Sequence, residues 1–112
     1  MLTISTHVLD TSRGLPAADI PVELAIWQDH AWHHLGSGVT DPDGRIRYWG
    51  EQVFTLIGHY RLTFHLVDYF AAREQAAFFP EVSLQFQSDG ALKHLHVPLL
   101  LNPYGYSTYR GS

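Results

Sequence analysis

An all-β fold, a two-sheet antiparallel β-sandwich with one short helix, is the class this sequence predicts. Three observations carry that prediction. Apolar and polar residues alternate with period two along most of the chain, as in EVSLQFQ at residues 81 to 87, which is the signature of half-buried strands. Turn-forming stretches such as Asp41-Pro42-Asp43-Gly44 and Asp89-Gly90 recur at short intervals, each with residues that reverse a chain cheaply. Helix-forming composition is confined to YFAAREQAA at residues 69 to 77, so helix is a minor element.

Taken in order, Ile4, Thr6 and Val8 share one face of a first strand, leaving Ser5, His7 and Leu9 on the other. After a turn at Arg13 to Pro16, Val22, Leu24 and Ile26 form the apolar face of a second strand, and Asp29-His30 bends the chain into WHHLGSGVT at residues 32 to 40. Asp41 to Gly44 then turns the chain and presents Arg45. HYRLTFHLV at residues 59 to 67 sets Tyr60, Leu62, Phe64 and Leu66 toward the core. Asp68 is placed to cap a helix of about two turns, which Pro80 ends. Asp89-Gly90 predicts a hairpin between EVSLQFQ and LKHLHVPLLL, where Leu95, Val97, Leu99 and Leu101 face the core and His94, His96, Pro98 and Leu100 face away. Asn102-Pro103 and Gly105 mark a last bend before a closing strand at Tyr106 to Tyr109. Seven or eight short strands suit a sandwich.

A chain of 112 residues fits one domain, residues 1–112, with a single core. Hydrophobic residues make up 46% and charged residues only 16%, so little charge is left to cover a surface, and burial against other subunits is expected. A net charge of -4 supplies no basic field, which argues against nucleic acid and anionic membranes as partners. No cysteine is present, which excludes disulfides and a thiol nucleophile. MLTISTHVLD has no basic segment leading an apolar run, and no apolar stretch approaches membrane-spanning length. A cytoplasmic location is the expectation.

His7 and His96 both sit opposite a core face. Histidine has an unperturbed pKa of roughly 6.5, so a neutral imidazole accepts a proton from water near neutrality, and a pair can orient and activate one water. Arg45, just after a tight turn, could hold an anionic or imide-like ring through its planar fork and keep a nearby histidine neutral. Each of the three taken alone reads as a solvated surface side chain. The terminal YSTYRGS, residues 106 to 112, taken alone reads as a frayed end. Eight histidines raise the question of metal. Asp29, His30, His33 and His34 cluster at one bend without the spacing that sets ligands on one face, and His94 and His96, about 6.5 Å apart along a strand, lack further ligands. No functional metal is therefore expected. GSGVT at residues 36 to 40 is not a nucleophile elbow, and Trp27, Trp32 and Trp49 read as core or interface packing.

STHVLDTSRGLPA near the start, GVTDPDGR in the middle, YFAA followed by FFPEV, and HVPLLLNPYGYSTYRGS at the end resemble the 5-hydroxyisourate hydrolase family, the transthyretin-related enzymes of urate degradation. The resemblance runs in order through essentially the whole chain, and YRGS is its most specific part. It implies a β-sandwich assembled as a homotetramer, a dimer of dimers around a central channel that holds the sites. It also implies that 5-hydroxyisourate is hydrolysed, without a cofactor, to 2-oxo-4-hydroxy-4-carboxy-5-ureidoimidazoline. By the same resemblance His7, Arg45, His96 and Ser112 are catalytic, and His7, Arg45, His96, Tyr109, Arg110, Gly111 and Ser112 bind substrate. Leu95 and Asn102 depart from the family's frequent tyrosine and serine. No third residue is evident to make Ser112 part of a triad. The chief alternative is a transthyretin-type carrier holding a hydrophobic small molecule in the channel, and a purely structural immunoglobulin-like module is a further one.

Overall fold

The computed structural model describes residues 1–112. Its strands are β1 (Thr3–Asp10), β2 (Leu15–Pro16), β3 (Pro21–Gln28), β4 (Ala31–Val39), β5 (Arg45–Ile46), β6 (Ile57–His65), β7 (Glu81–Asp89), β8 (His94–Asn102) and β9 (Gly105–Thr108). One helix, α1 (Val67–Ala71), follows β6. The strands form two sheets, β2-β1-β8-β9 with β5 also on β1, and β4-β3-β6-β7. All pairs are antiparallel except β1 and β8, which run parallel.

The core lies between the sheets and is built from the alternating residues. Ile4 and Val8 of β1, Leu24 of β3, Tyr60, Leu62 and Phe64 of β6, and Leu99 of β8 are all buried. Each contributes about 1.5–3 kcal/mol of apolar transfer free energy. Thr6 shares the inward face, where its hydroxyl donates to the Val97 carbonyl at 2.6 Å, and the Trp49 indole donates to the Ile4 carbonyl at 2.8 Å. Trp49 is thus core, whereas Trp27 is 41% exposed and stacks edge-on against Trp32 on the outside of the second sheet.

The bends at Asp29-His30 and Asp41 to Gly44 form where the sequence predicts them. Asp29 and His30 both adopt positive φ, 52° and 62°, which matches the twist of a tight hairpin. The Asp41 carboxylate accepts from the Asp43 and Arg45 amides at 2.9 and 3.0 Å. Gly44 has φ +77°, and a Cβ there would come within 2.4 Å of the Val8 carbonyl oxygen. Glycine is therefore what allows this turn to lie against β1 and carry Arg45 in beside it.

Two expectations are corrected. Asp89-Gly90 does not close a hairpin, because β7 pairs with β6 while β8 pairs with β1 and β9. Alternation identified the inward faces of β7 and β8 but not their sheet, and the two strands instead lie in opposite layers, so that Val82 and Leu84 share a core with Leu95 and Val97. The helix is also shorter and earlier than its composition suggests. It spans five residues, Leu66 is its N-cap without a side-chain bond, and Asp68 lies inside the first turn. Burial of Leu66, Tyr69 and Phe70 sets its position, a tertiary effect that outweighs the propensity of the following alanines.

Candidate active site

Strands β1 and β8 run side by side with Thr3 opposite His94, Ser5 opposite His96 and His7 opposite Pro98. On the other edge of β1, β5 sets Arg45 opposite His7. The outward faces of three elements that are distant in sequence thereby form one polar surface. The terminal segment completes it: the Gly111 amide donates to the His96 carbonyl at 2.8 Å, a bridge that lays the segment along β8.

A cleft of about 390 Å³ opens on this surface, and Ser5, Arg45, Arg47, His94, His96 and Ser112 line it with no hydrophobic residue among the lining. His7 is half-buried and neighbours Arg45 in register without entering the lining. Tyr109 and Arg110 go elsewhere. They line a second cavity of about 350 Å³, between β7 and the β8 side of the sandwich, together with Phe86, Leu95 and Val97. Within one chain the terminal tetrapeptide is thus divided, with Gly111 and Ser112 at the histidine cleft and Tyr109 and Arg110 at the cavity between the sheets.

His96 is held below the ordinary histidine pKa. Partial burial strips water from its cation, and the positive charges of Arg45, then His7, His94 and Arg47, add repulsion. A cleft carrying two guanidinium groups while keeping its inner imidazole neutral can bind an electron-rich ring and accept a proton beside it.

The structure adds residues that motif reading passed over. The Ser5 hydroxyl, buried at 5% exposure, contacts His96 Nδ1 at 2.7 Å and His94 Nε2 at 3.1 Å. Thr3 Oγ1 contacts His94 Nδ1 at 2.6 Å and donates to the Lys93 carbonyl at 3.4 Å. The available signal was the alternation itself, since Thr3 and Ser5 share the face of His7, and His94 shares the face of His96. Arg47 lies two residues beyond Arg45 on the same cleft. The remaining histidine clusters belong to the second sheet. His30 sits at the β3–β4 bend, His33 bonds the Gln28 carbonyl, and His65 is held between Glu23 and Glu81 at 2.9 and 3.4 Å.

Comparison with known proteins agrees with this architecture. A protein named 5-hydroxyisourate hydrolase from Salmonella dublin is 42% identical over 109 residues, which cover 97% of this chain and 80% of that protein. The solved structure of Klebsiella pneumoniae 5-hydroxyisourate hydrolase is similar with a TM-score of 0.86 and 35% identity, over 100% of both chains. Sea bream transthyretin in complex with thyroxine matches with a TM-score of 0.87 at 24% identity, over 96% of this chain and 93% of that one, a likeness of fold. The profile of the HIUase/Transthyretin family matches residues 4–111, and with these relatives it places the chain's membership: it belongs to the HIUase/Transthyretin family.

Proposed function

We propose that this chain is a hydrolase of urate degradation that opens 5-hydroxyisourate to 2-oxo-4-hydroxy-4-carboxy-5-ureidoimidazoline. The observation that carries the reading is His96, an imidazole kept neutral beside Arg45 in a cleft with no hydrophobic lining, in a chain whose relatives bear the name of that activity. His96 is the general base, because Ser5 occupies its Nδ1 and leaves Nε2 for the cleft. His7 orients the water. As a C–O bond forms at the ring carbonyl, the water's proton passes to His96 Nε2, and Arg45 stabilises the oxyanion. Collapse of the tetrahedral intermediate breaks the ring C–N bond, and the nitrogen leaves with a proton. Ser112 binds substrate at the cleft and Gly111 holds the segment on His96.

Tyr109 and Arg110 act on substrate in an assembled homotetramer, a dimer of dimers, where the terminal segments of several subunits surround each site. The protein works in the cytoplasm and needs no cofactor. A carrier of an apolar ligand would require a hydrophobic wall, and the histidine cleft offers arginine, histidine and hydroxyl groups instead.

Freshly generated hydroxyisourate mixed with wild-type, His96→Ala and His7→Ala protein tests the reading by its ultraviolet decay. Rapid decay with wild type, slowed by about a hundredfold or more in the variants, is expected. Equal rates in all three would sink it.

A further inference from the structure

Thr3, His94, Ser5 and His96 form a continuous hydrogen-bonded line from a backbone carbonyl to the cleft. Its contacts are Thr3 Oγ1 to the Lys93 carbonyl, Thr3 Oγ1 to His94 Nδ1, Ser5 Oγ to His94 Nε2, and Ser5 Oγ to His96 Nδ1. With both imidazoles neutral, each of the four side chains brings one mobile proton. A carbonyl oxygen only accepts, and that fixes the direction in which all contacts are filled. Thr3 donates to the carbonyl, so it accepts from His94 Nδ1–H. His94 Nε2 is then bare and accepts from Ser5, and Ser5 accepts from His96 Nδ1–H. His96 Nε2 is left bare. In the opposite polarity the Thr3 proton goes to His94, the carbonyl contact has no proton, and His96 Nε2 carries one.

We infer that Ser5 and His94, neither of them in the catalytic set above, hold His96 in its base-ready tautomer and store its proton between the two halves of the reaction. The inference rests on the hydrolase reading, with His96 as base. When water gives a proton to His96 Nε2, the Nδ1 proton passes to Ser5 Oγ and the Ser5 proton passes to His94 Nε2. His96 ends neutral, protonated on Nε2, and His94 ends as the cation. His94 is exposed while His96 is half-buried, so the charge rests in water rather than beside Arg45. When the ring C–N bond breaks, His96 Nε2–H goes to the departing nitrogen. The Ser5 proton returns to His96 Nδ1, and His94 returns its Nε2 proton to Ser5. No proton is gained or lost over the cycle, and His7, Arg45 and Arg47 are the other charged or titratable groups facing His96.

Histidine-selective ¹⁵N spectra of the full chain near neutral pH, with kinetics of Ser5→Ala and His94→Ala, test this. In wild type, His96 is expected to be protonated at Nδ1 and bare at Nε2. Ser5→Ala should mix the two tautomers and lower kcat about tenfold or more with KM changed less than about twofold. His94→Ala, an exposed change that leaves the fold intact, should lower kcat in the same way and move the acid limb of the kcat profile. A wild-type spectrum with Nε2 protonated, or wild-type kcat in both variants, overturns the inference. The spectrum is read without substrate, so a wild-type protein inert toward hydroxyisourate would sink the hydrolase reading and still leave the polarity of the line decided by the spectrum.

Discussion

Gly111 lies so close to His96 that a methyl group on it would meet the imidazole: an added Cβ would stand 2.6 Å from His96 Cδ2 and 3.2 Å from Pro98 Cγ. The same glycine anchors the terminal segment through its amide to the His96 carbonyl. Gly111→Ala must therefore shift either the ring or the segment. Gly111 and His96 are half-buried and lie outside the apolar core, so we expect a melting temperature near wild type and a kcat lowered by about 10- to 100-fold through misplacement of the base. Ultraviolet decay of hydroxyisourate together with calorimetry measures both, and unchanged turnover would show that neither group needs its present position.

Removing Tyr109 to Ser112 is expected to cost activity far more than folding. These residues follow the last strand and fill none of the buried core. A shortened chain ending at Thr108 should keep its cooperative unfolding and lose most turnover. Normal turnover would return the segment to the reading of a frayed end.

Arg45→Gln removes the largest charge acting on His96, second only to burial among the causes that lower its pKa. The His96 pKa should rise, so the acid limb of the kcat/KM profile should move to higher pH. Loss of the guanidinium should also lower kcat/KM by about two to three orders of magnitude at its optimum. A limb that stays in place would mean that another group titrates there.

Stability should respond to the same imidazole. Folded His96 binds a proton less readily than the unfolded chain, whose value is roughly 6.5. Its contribution to stability is whole above that unfolded value and is lost as pH falls through the lower folded value. Urea midpoints taken from neutral to mildly acidic pH should decline more for wild type than for His96→Gln. Parallel curves would count against a lowered His96 pKa.

Asp10 and Tyr69 form a clamp that ties the end of β1 to α1. The Tyr69 hydroxyl donates to Asp10 Oδ2 at 2.6 Å, and Asp10 Oδ1 accepts from the Ser12 hydroxyl at 2.6 Å and from the Ser12 and Arg13 amides. Burial by itself would raise the Asp10 pKa, but these bonds outweigh it and hold the carboxyl below its usual range. Tyr69→Phe should cost about 1–3 kcal/mol of unfolding free energy and leave kcat unchanged, since neither residue lines the cleft. Denaturant titration and the decay assay separate the two effects.

Most of the inward face could be read from alternation alone, as Ile4, Val8, Leu62, Phe64, Leu99 and Leu101 show by their burial. The outward placement of His7 and His96 followed from the same rule. Their neighbourhood did not, because alternation says nothing about which strands are adjacent, and β1 meets β8 by a parallel pairing that no turn signals. The hairpin expected at Asp89-Gly90 failed for that reason. Alternation places Ser5 and His94 on the outward faces, and His94 is weighed only as a metal ligand, because a serine and a second histidine carry no motif and only the register of Ser5 against His96 gives them partners.

That parallel pairing also sets the order of events during synthesis. Ser5 and His96 are 91 positions apart, so β1 waits during synthesis with Ser5 lacking its histidine partners until β8 has emerged. Closing so long a loop is slow compared with forming the β3–β4 hairpin and the more local β6–α1–β7 pairing. The second sheet is then the first to be laid down, and the cleft comes last. A prematurely terminated chain would retain that local pairing while lacking the floor of the site, with an uncovered edge on which other chains could add.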